Sequence, residues 1–109
     1  MSEQRIELTP CHEHLKVWLD DTLLAVTDSA ITLHEAGYPA RLYIPREDVR
    51  MALLEPSETV THCPYKGQAC YFHYGAEKDI AWCYPTPLET MSPIADALCF
   101  TDRCRVEKG

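Results

Sequence analysis

The chain is a succession of short runs in which apolar and polar residues alternate, separated by residues that favour turns. Across residues 15–19 a leucine or valine occupies every second position, and the alternation resumes in 22–28 after Asp20-Asp21. Side chains two apart lie on the same face of an extended strand, whereas a helix repeats its apolar positions every three or four residues. The pattern therefore predicts half-buried β-strands joined by tight turns.

The same alternation and the turn residues between the runs predict the remaining elements. Predicted strands span residues 15–19, 22–28, 30–35, 41–44, 69–74, 80–84 and 104–107. Short helices are expected near Pro45–Leu54 and Ser92–Leu98, the second with Ser92 as its N-cap. We expect a mainly β domain over residues 1–109, with twisted antiparallel sheets, one or two short helices, a core over about 15–107 and an N-terminal extension over 1–14.

Composition narrows the class of protein. The chain has 109 residues, 46% of them apolar, which suffices for one modest core. The chain has a net charge of −7 and no block of like charges. This charge argues against binding to a nucleic-acid polymer or an anionic membrane. Residues 1–5 lack a signal-peptide pattern and no apolar run reaches transmembrane length. We therefore expect a cytoplasmic protein.

The six cysteines are expected to be thiols, because nothing in the sequence indicates an oxidising compartment. No C-x-x-C pair is present, and the only dense group of metal-binding residue types is Cys11-His12-Glu13-His14. Structural zinc prefers paired ligands at close spacing. We expect no metal and no cofactor, with Cys70, Cys83 and Cys99 acting as small buried apolar residues.

The loop Cys63–Gly67 combines chemically versatile side chains with a defined backbone. Pro64 fixes its own φ angle and Gly67 permits a positive one, so the loop is expected to be tight. Such a loop would hold Cys63 and Lys66 together, and a neighbouring ammonium favours the thiolate of a cysteine. Cys63 and Lys66 are the candidate catalytic pair, and Tyr65 is a further ligand candidate. Since neither the thiol nor the amine is needed to form the loop, Lys66→Ala is expected to leave the melting temperature almost unchanged.

Several residues outside this loop are candidates for the same pocket, and each also has a structural explanation. They are Glu35, Arg41, Tyr43, Asp48, Trp82 and Tyr84. Glu35 can pair with Arg41 across the turn at Gly37, and Asp48 can stabilise the start of a helix. The three aromatic residues can line a cavity or cover the core.

Two motifs carry a resemblance to a known family. They are Y-I-P-R-x-D-V at residues 43–49 and C-P-Y-K-G at 63–67. With Asp28-Ser29, His34–Gly37, Ala69-Cys70-Tyr71 and Ala81–Tyr84, they make the segment from about Val17 to Val106 similar to the bacterial family called domain of unknown function 427. The resemblance implies a β-tent fold, shared with methionine sulfoxide reductase B and the zinc-binding Rab accessory proteins. Members are sometimes labelled nucleotidyltransferase-like, but the resemblance implies no specific activity. The zinc-ligand pairs of the β-tent relatives are missing here.

Three functions are compatible with these residues. The first is a module that binds a small molecule or peptide in a pocket formed by the Cys63–Gly67 loop, Tyr43 and Trp82. The second is a thiol-dependent enzyme using Cys63, activated by Lys66 or a histidine. The third is a nucleotide-handling protein using Arg41, Arg46 and Lys66. We favour the first, because the charged residues form no complete catalytic set and the glycine-rich phosphate-binding motifs are absent from the sequence.

Overall fold

The computed structural model describes residues 6–109, which form ten β-strands and three short 3-10 helices. The strands are β1 Ile6–Cys11, β2 Leu15–Leu19, β3 Thr22–Thr27, β4 Ala30–Glu35, β5 Arg41–Tyr43, β6 Glu55–Cys63, β7 Gly67–Tyr74, β8 Glu77–Cys83, β9 Cys99–Phe100 and β10 Arg105–Lys108. The 3-10 helices are Arg46–Asp48, Met51–Leu53 and Glu89–Ile94. The fold is mainly β, as the alternation of apolar residues predicts.

The strands form three antiparallel sheets. The first sheet has the order β1-β4-β5, the second has the order β10-β2-β3, and the four-stranded sheet has the order β6-β7-β8-β9. Reciprocal backbone hydrogen bonds of 2.8 Å between Ile44 and Leu98 link the end of β5 to the segment that precedes β9. This link joins the first sheet to the four-stranded sheet.

The hairpin of β2 and β3 has the turn that the sequence predicts. Leu19 pairs with Thr22, and Asp20 adopts a left-handed φ of 54° between them. Aspartate tolerates this conformation better than most residues, because its short side chain bonds to nearby backbone. Strand β10 pairs with the outer side of β2 and completes the second sheet.

Strands β1, β6 and β9 were not predicted from the sequence. β1 and β6 are edge strands, and β6 is mostly exposed along its nine residues. An edge strand that buries no face carries no apolar alternation, and it tolerates Pro56 because one side of its backbone is unpaired. Residues 6–11 of the expected N-terminal extension pair with β4 along its whole length.

The helical segments are shorter than the sequence predicts. Ser92 and Pro93 lie inside the 3-10 helix Glu89–Ile94, so the prediction of Ser92 as an N-cap is wrong. Met91 and Ile94 are nevertheless buried, which explains the apolar spacing that suggested a helix there. Within residues 6–109, no helix has both the length and the apolar character needed to cross a membrane.

The four-stranded sheet contributes side chains to two apolar clusters. One contains Phe72 and Cys83 together with Val17 and Leu24 of the second sheet. The other contains Ala69 of β7, with Trp82 of β8 packed against it, and residues of the first sheet, among them Leu33 and Tyr43. Since alternate residues of a strand point to opposite faces, β7 and β8 supply both clusters at once.

A β-bulge sets the pairing of β7 with β8. Tyr74 pairs with Glu77, and if the pairing continued without interruption Tyr71 would pair with Ile80. Tyr71 instead pairs with Trp82, so the register shifts by two residues. The additional residues lie on β8, where Asp79 has a left-handed φ of 51°. Bulges of this kind accommodate extra residues by bending one strand of a pair.

Polar side chains hold the bulge, and we call them the Asp79 cluster (Ser57, Thr59, His73 and Asp79). The Asp79 carboxylate accepts hydrogen bonds from the Ser57 hydroxyl at 2.6 Å and the Thr59 hydroxyl at 2.7 Å. The Asp79 backbone N–H donates to His73 Nδ1 at 2.9 Å. The cluster thereby ties β6, β7 and β8 together at the point where the register shifts.

The Asp79 cluster predicts an acid-sensitive contribution to stability. Hydrogen bonds from Ser57 and then Thr59 hold the pKa of the Asp79 carboxyl below its usual 3.8, with smaller help from His73 and Lys78. A carboxyl whose pKa is lower in the folded state stabilises the fold above pH 3.8, and this stabilisation is lost as the pH falls through the folded pKa. Urea denaturation of wild type and Asp79→Asn from about pH 5 to about pH 2 should show a difference in stability that shrinks with acidification.

Asparagine tolerates a left-handed φ, so this substitution removes the charge and keeps the backbone conformation accessible. Asp20 also loses stabilisation in acid, because Arg103 lowers the pKa of its carboxyl. Wild type and Asp79→Asn both contain Asp20, so this contribution cancels when the stability of one protein is subtracted from that of the other. A difference that is independent of pH would show that the charge of Asp79 contributes nothing.

Candidate functional site

A cavity of about 200 Å³ lies between the first sheet and the four-stranded sheet. We call it the aromatic cavity, and its lining residues are Leu33, Glu35, Tyr38, Pro39, Arg41, Tyr43, Lys66, Tyr71, Trp82 and Tyr84. Strands β4 and β5 supply one wall, and β7 and β8 supply the other. The cavity thus collects aromatic rings from both sheets around three charged side chains.

The most enclosed charges of the cavity are Lys66 and Glu35. Lys66 Nζ donates to Glu35 Oε1 at 2.9 Å, and the two side chains are only 10% and 14% exposed. Lys66 Nζ also lies 3.6 Å from Cys63 Sγ. Taking two charges out of water is unfavourable unless they are well paired, so this geometry indicates a tightly held ion pair.

The backbone of the 63–67 loop directs Lys66 toward the cavity. The Lys66 N–H donates to the Cys63 carbonyl at 3.2 Å, which closes the turn, and the Leu88 N–H donates to the Lys66 carbonyl at 3.0 Å. Gly67 has φ +118°, and a Cβ atom there would lie 3.3 Å from Pro87 Cα. Glycine is therefore required both by the backbone angle and by the close approach of residues 86–88.

The aromatic wall is ordered by ring contacts and a hydrogen bond. Trp82 Nε1 donates to the Tyr43 hydroxyl at 3.2 Å, and Tyr43 packs against Tyr84 with a centroid separation of 6.4 Å. Tyr71 packs against Trp82 at 6.1 Å, directly across the β7–β8 pair. The Arg41 guanidinium lies 5.5 Å from the centroid of the Trp82 ring, a favourable cation–π distance.

Arg41 and Tyr84 retain unused hydrogen-bonding capacity. Arg41 Nη1 contacts Asp102 at 3.3 Å, but the Asp102 side chain is 94% exposed, so water screens this pair strongly. Tyr84 is only 7% exposed, and its hydroxyl forms no hydrogen bond to any of residues 6–109. Because no fully enclosed side-chain nitrogen or oxygen in that range lacks a partner, the Tyr84 oxygen is accessible to solvent, and Tyr84 is one of the residues that line the cavity. Burial, more than any neighbouring charge, raises the pKa of Tyr43 and Tyr84, so both phenols stay protonated at neutral pH.

The residues that the sequence nominated as ligand contacts are distributed unevenly. Glu35, Arg41, Tyr43, Lys66, Trp82 and Tyr84 line the aromatic cavity. Cys63 packs beside it through its contact with Lys66. Tyr65 and Asp48 are not among the lining residues. Tyr65 is 44% exposed, and Asp48 accepts a 2.7 Å hydrogen bond from the buried Thr27.

Two details of the sequence interpretation are corrected. Glu35 pairs with Lys66, while Arg41 contacts Asp102, so the expected Glu35–Arg41 pair is not formed. Lys66 is 8% exposed and belongs to a buried ion pair. The expectation that its replacement would leave stability unchanged assumed a solvated amine, and that assumption is wrong.

The sequence interpretation missed four lining residues: Leu33, Tyr38, Pro39 and Tyr71. Tyr38 and Pro39 follow the Gly37 turn, and their position at a cavity rim depends on how two sheets meet. Tyr71 lies opposite Trp82 only because of the bulge at Asp79. Its place in the family-like segment Ala69-Cys70-Tyr71 was the one available signal.

The six cysteines are free thiols in different surroundings. Burial raises the pKa of Cys99 to about 12 and that of Cys104 to about 11, and it also raises the pKa of Cys83. Cys11, Cys63 and Cys70 are partly exposed. Within residues 6–109, no three His, Cys, Asp or Glu side chains are grouped so as to hold a metal ion.

Comparison with protein families places this arrangement in context. The family model described as "Domain of unknown function (DUF427)" matches residues 7–108. The chain belongs to this family. No curated protein matches the DUF427 chain significantly. In this DUF427 domain the C-P-Y-K-G motif forms the turn that pairs Lys66 with Glu35, whereas Y-I-P-R-x-D-V contributes only Tyr43 to the aromatic cavity.

Proposed function

We propose that this DUF427 domain binds a small molecule in the aromatic cavity. The observation that carries the proposal is the ion pair of Lys66 and Glu35, which lies nearly buried in a cavity lined by aromatic rings. An apolar pair of similar volume stabilises a fold as well as a buried ion pair does, or better. Charged groups at such a position are better explained by recognition of a ligand than by stability.

The size of the cavity favours a small molecule over a peptide or a whole nucleotide. Its volume of about 200 Å³ corresponds to roughly six or seven water molecules at about 30 Å³ each. This space accommodates a ring with one polar substituent. A base, a ribose and a phosphate together require considerably more room.

The proposal is tested by identifying metabolites that co-purify with the protein. Mass spectrometry of extracts from denatured protein should find a compound enriched with wild type and with Trp18→Leu but not with Trp82→Leu. Trp18 is the matched control, because it is the other half-buried tryptophan and its Nε1 bonds to Glu107 in the second sheet, away from the cavity.

A second measurement does not depend on the folding of the Trp82 variant. The enriched compound, added back to ¹⁵N-labelled wild-type protein, should shift the Trp82 Nε1–H resonance and leave that of Trp18 in place. Identical extracts from all three proteins, or a shift at Trp18 alone, would contradict binding in the cavity.

A thiol-dependent reaction is a second candidate function, favoured by the 3.6 Å contact between Lys66 Nζ and Cys63 Sγ. An ammonium beside a thiol favours the nucleophilic thiolate. Iodoacetamide should therefore modify Cys63 before Cys70, and long before the buried Cys83 and Cys99. Peptide mass spectrometry after short exposures of the native protein measures these rates.

Cys11 provides the reference for this comparison. It is also partly exposed, but its sulfur lies 4.0 Å from the Glu13 carboxylate instead of an ammonium. Cys63 should react several times faster than Cys11. Equal rates would argue against activation by Lys66 and against a thiol-dependent function.

The nucleotide-binding alternative loses support from the positions of its three basic residues. Arg41 and Lys66 line the aromatic cavity, but Arg46 lines a different one. Arg46 pairs with Asp96 at 3.6 Å and lies 5.6 Å from the centroid of the Phe72 ring. Nothing in this geometry favours a site in which all three contact one phosphate chain.

A further inference from the structure

The polar groups facing the aromatic cavity are mainly hydrogen-bond donors. Lys66 has three N–H groups, of which Glu35 and Cys63 occupy two. Among residues 6–109, Asp102 is the only hydrogen-bond partner of Arg41 and is contacted through Nη1, which leaves most of the guanidinium donors available. The protonated hydroxyl of Tyr84 has no partner within residues 6–109. These three groups belong to side chains on different elements, and all three line the same cavity.

The charges of the cavity also favour an anion. Lys66 and Arg41 are positive and Glu35 is negative, so these three side chains sum to +1. The charge of Glu35 is already neutralised by Lys66 at 2.9 Å. A cationic ligand would find no unpaired carboxylate there, and Arg41 already lies over the Trp82 ring, where a cation would otherwise bind.

We propose that the aromatic cavity binds a small carboxylic acid, whose carboxylate is held by Arg41, Lys66 and the Tyr84 hydroxyl. The body of the acid packs against Tyr71 and Trp82, whose rings line the wall formed by β7 and β8. A carboxylate suits this donor set, because the planar fork of a guanidinium matches the two carboxylate oxygens. This inference rests on the proposed function and adds the chemical class of the ligand.

Three probes of matched size test the class of ligand: benzoate, benzamide and benzylamine, which are anionic, neutral and cationic at neutral pH. Titration into ¹⁵N-labelled wild-type protein is followed at the Trp82 Nε1–H resonance, with Trp18 Nε1–H as the internal control. Benzoate should bind with a dissociation constant of about 1 mM, typical of a fragment. It should bind about tenfold more tightly than benzylamine, which Arg41 and Lys66 repel.

Three variants assign the contacts. Arg41→Gln should weaken benzoate about tenfold, whereas Arg105→Gln should have no effect. Arg105 is the matched control because it lies over Trp18 at 5.7 Å just as Arg41 lies over Trp82, and its loss changes the net charge equally. Tyr84→Phe should weaken benzoate about five-fold without lowering the melting temperature, because the lost hydroxyl has no partner among residues 6–109.

The outcomes separate this inference from the proposed function. Tightest binding of benzamide or benzylamine at Trp82 would overturn the carboxylate assignment while leaving small-molecule binding intact. Equal effects of Arg41→Gln and Arg105→Gln, or no response at Trp82 to saturating benzoate, would also overturn it. In the last case the co-purifying metabolite decides whether the cavity binds any small molecule.

Discussion

Replacing Lys66 by methionine should lower the free energy of unfolding by about 3 kcal/mol, because it leaves Glu35 as a partly buried charge without its partner. The two side chains are 10% and 14% exposed, so water restores little of the lost interaction. Urea denaturation followed by tryptophan fluorescence measures the change. Stability equal to that of the wild type would mean that the ammonium is solvated and the pair is not enclosed.

Two controls show whether the loss of stability comes from leaving Glu35 unpaired or from removing any lysine. One is a double variant, and the other is a lysine of an exposed ion pair. Glu35→Leu combined with Lys66→Met should recover stability to within about 1 kcal/mol of wild type, because no unpaired charge remains. Lys108→Met breaks an ion pair with Glu13 whose side chains are 67% and 57% exposed. That substitution should cost less than about 1 kcal/mol.

Gly67→Ala should lower the free energy of unfolding by about 2 to 4 kcal/mol, through backbone strain and a steric contact together. The φ angle of +118° disfavours any side chain, and the new Cβ would lie 3.3 Å from the backbone of Pro87. Because residues 86–88 must shift, the hydrogen bond from the Leu88 N–H to the Lys66 carbonyl should weaken as well. Denaturation curves and amide hydrogen exchange at Leu88 measure both effects.

Gly37→Ala is the matched control for the steric contribution. Gly37 also has a positive φ, +86°, but a Cβ atom there meets nothing within 4 Å. Its substitution should cost about 1 to 2 kcal/mol from backbone strain alone. Equal losses at the two glycines would show that the close approach of Pro87 contributes nothing.

The mainly β fold follows from local features of the sequence. The β2–β3 hairpin and β4 agree closely with the prediction, since each buries an alternating apolar face and the turn at Asp20 is local. Strands β1 and β6 could not be found in this way, because edge strands bury too little to impose a pattern. The Cys63–Gly67 turn was predictable, since proline and glycine determine it locally.

The composition of the cavity was only partly accessible from the sequence. Six nominated residues line it, because they lie in recognisable strands or in the defined turn. Their pairing depends on contacts distant in sequence. The bond between Lys66 and Glu35 spans 31 residues, and nothing local distinguishes Lys66 from a solvated loop lysine. The position of Tyr71 opposite Trp82 requires the bulge, whose left-handed Asp79 is held by side chains of two other strands.

The bulge at Asp79 decides which residue of β8 lies opposite Tyr71, separately from the identity of the residues that line the cavity. A relative with a hairpin of the same length but no bulge would pair Tyr71 with the residue equivalent to Ile80 and would lose the tryptophan from that wall. A relative that also lacked the two additional residues of β8 would pair Tyr71 with the tryptophan again. Substitutions in the Asp79 cluster are therefore expected to change this wall even where every cavity residue is identical, whereas a two-residue deletion in β8 is not.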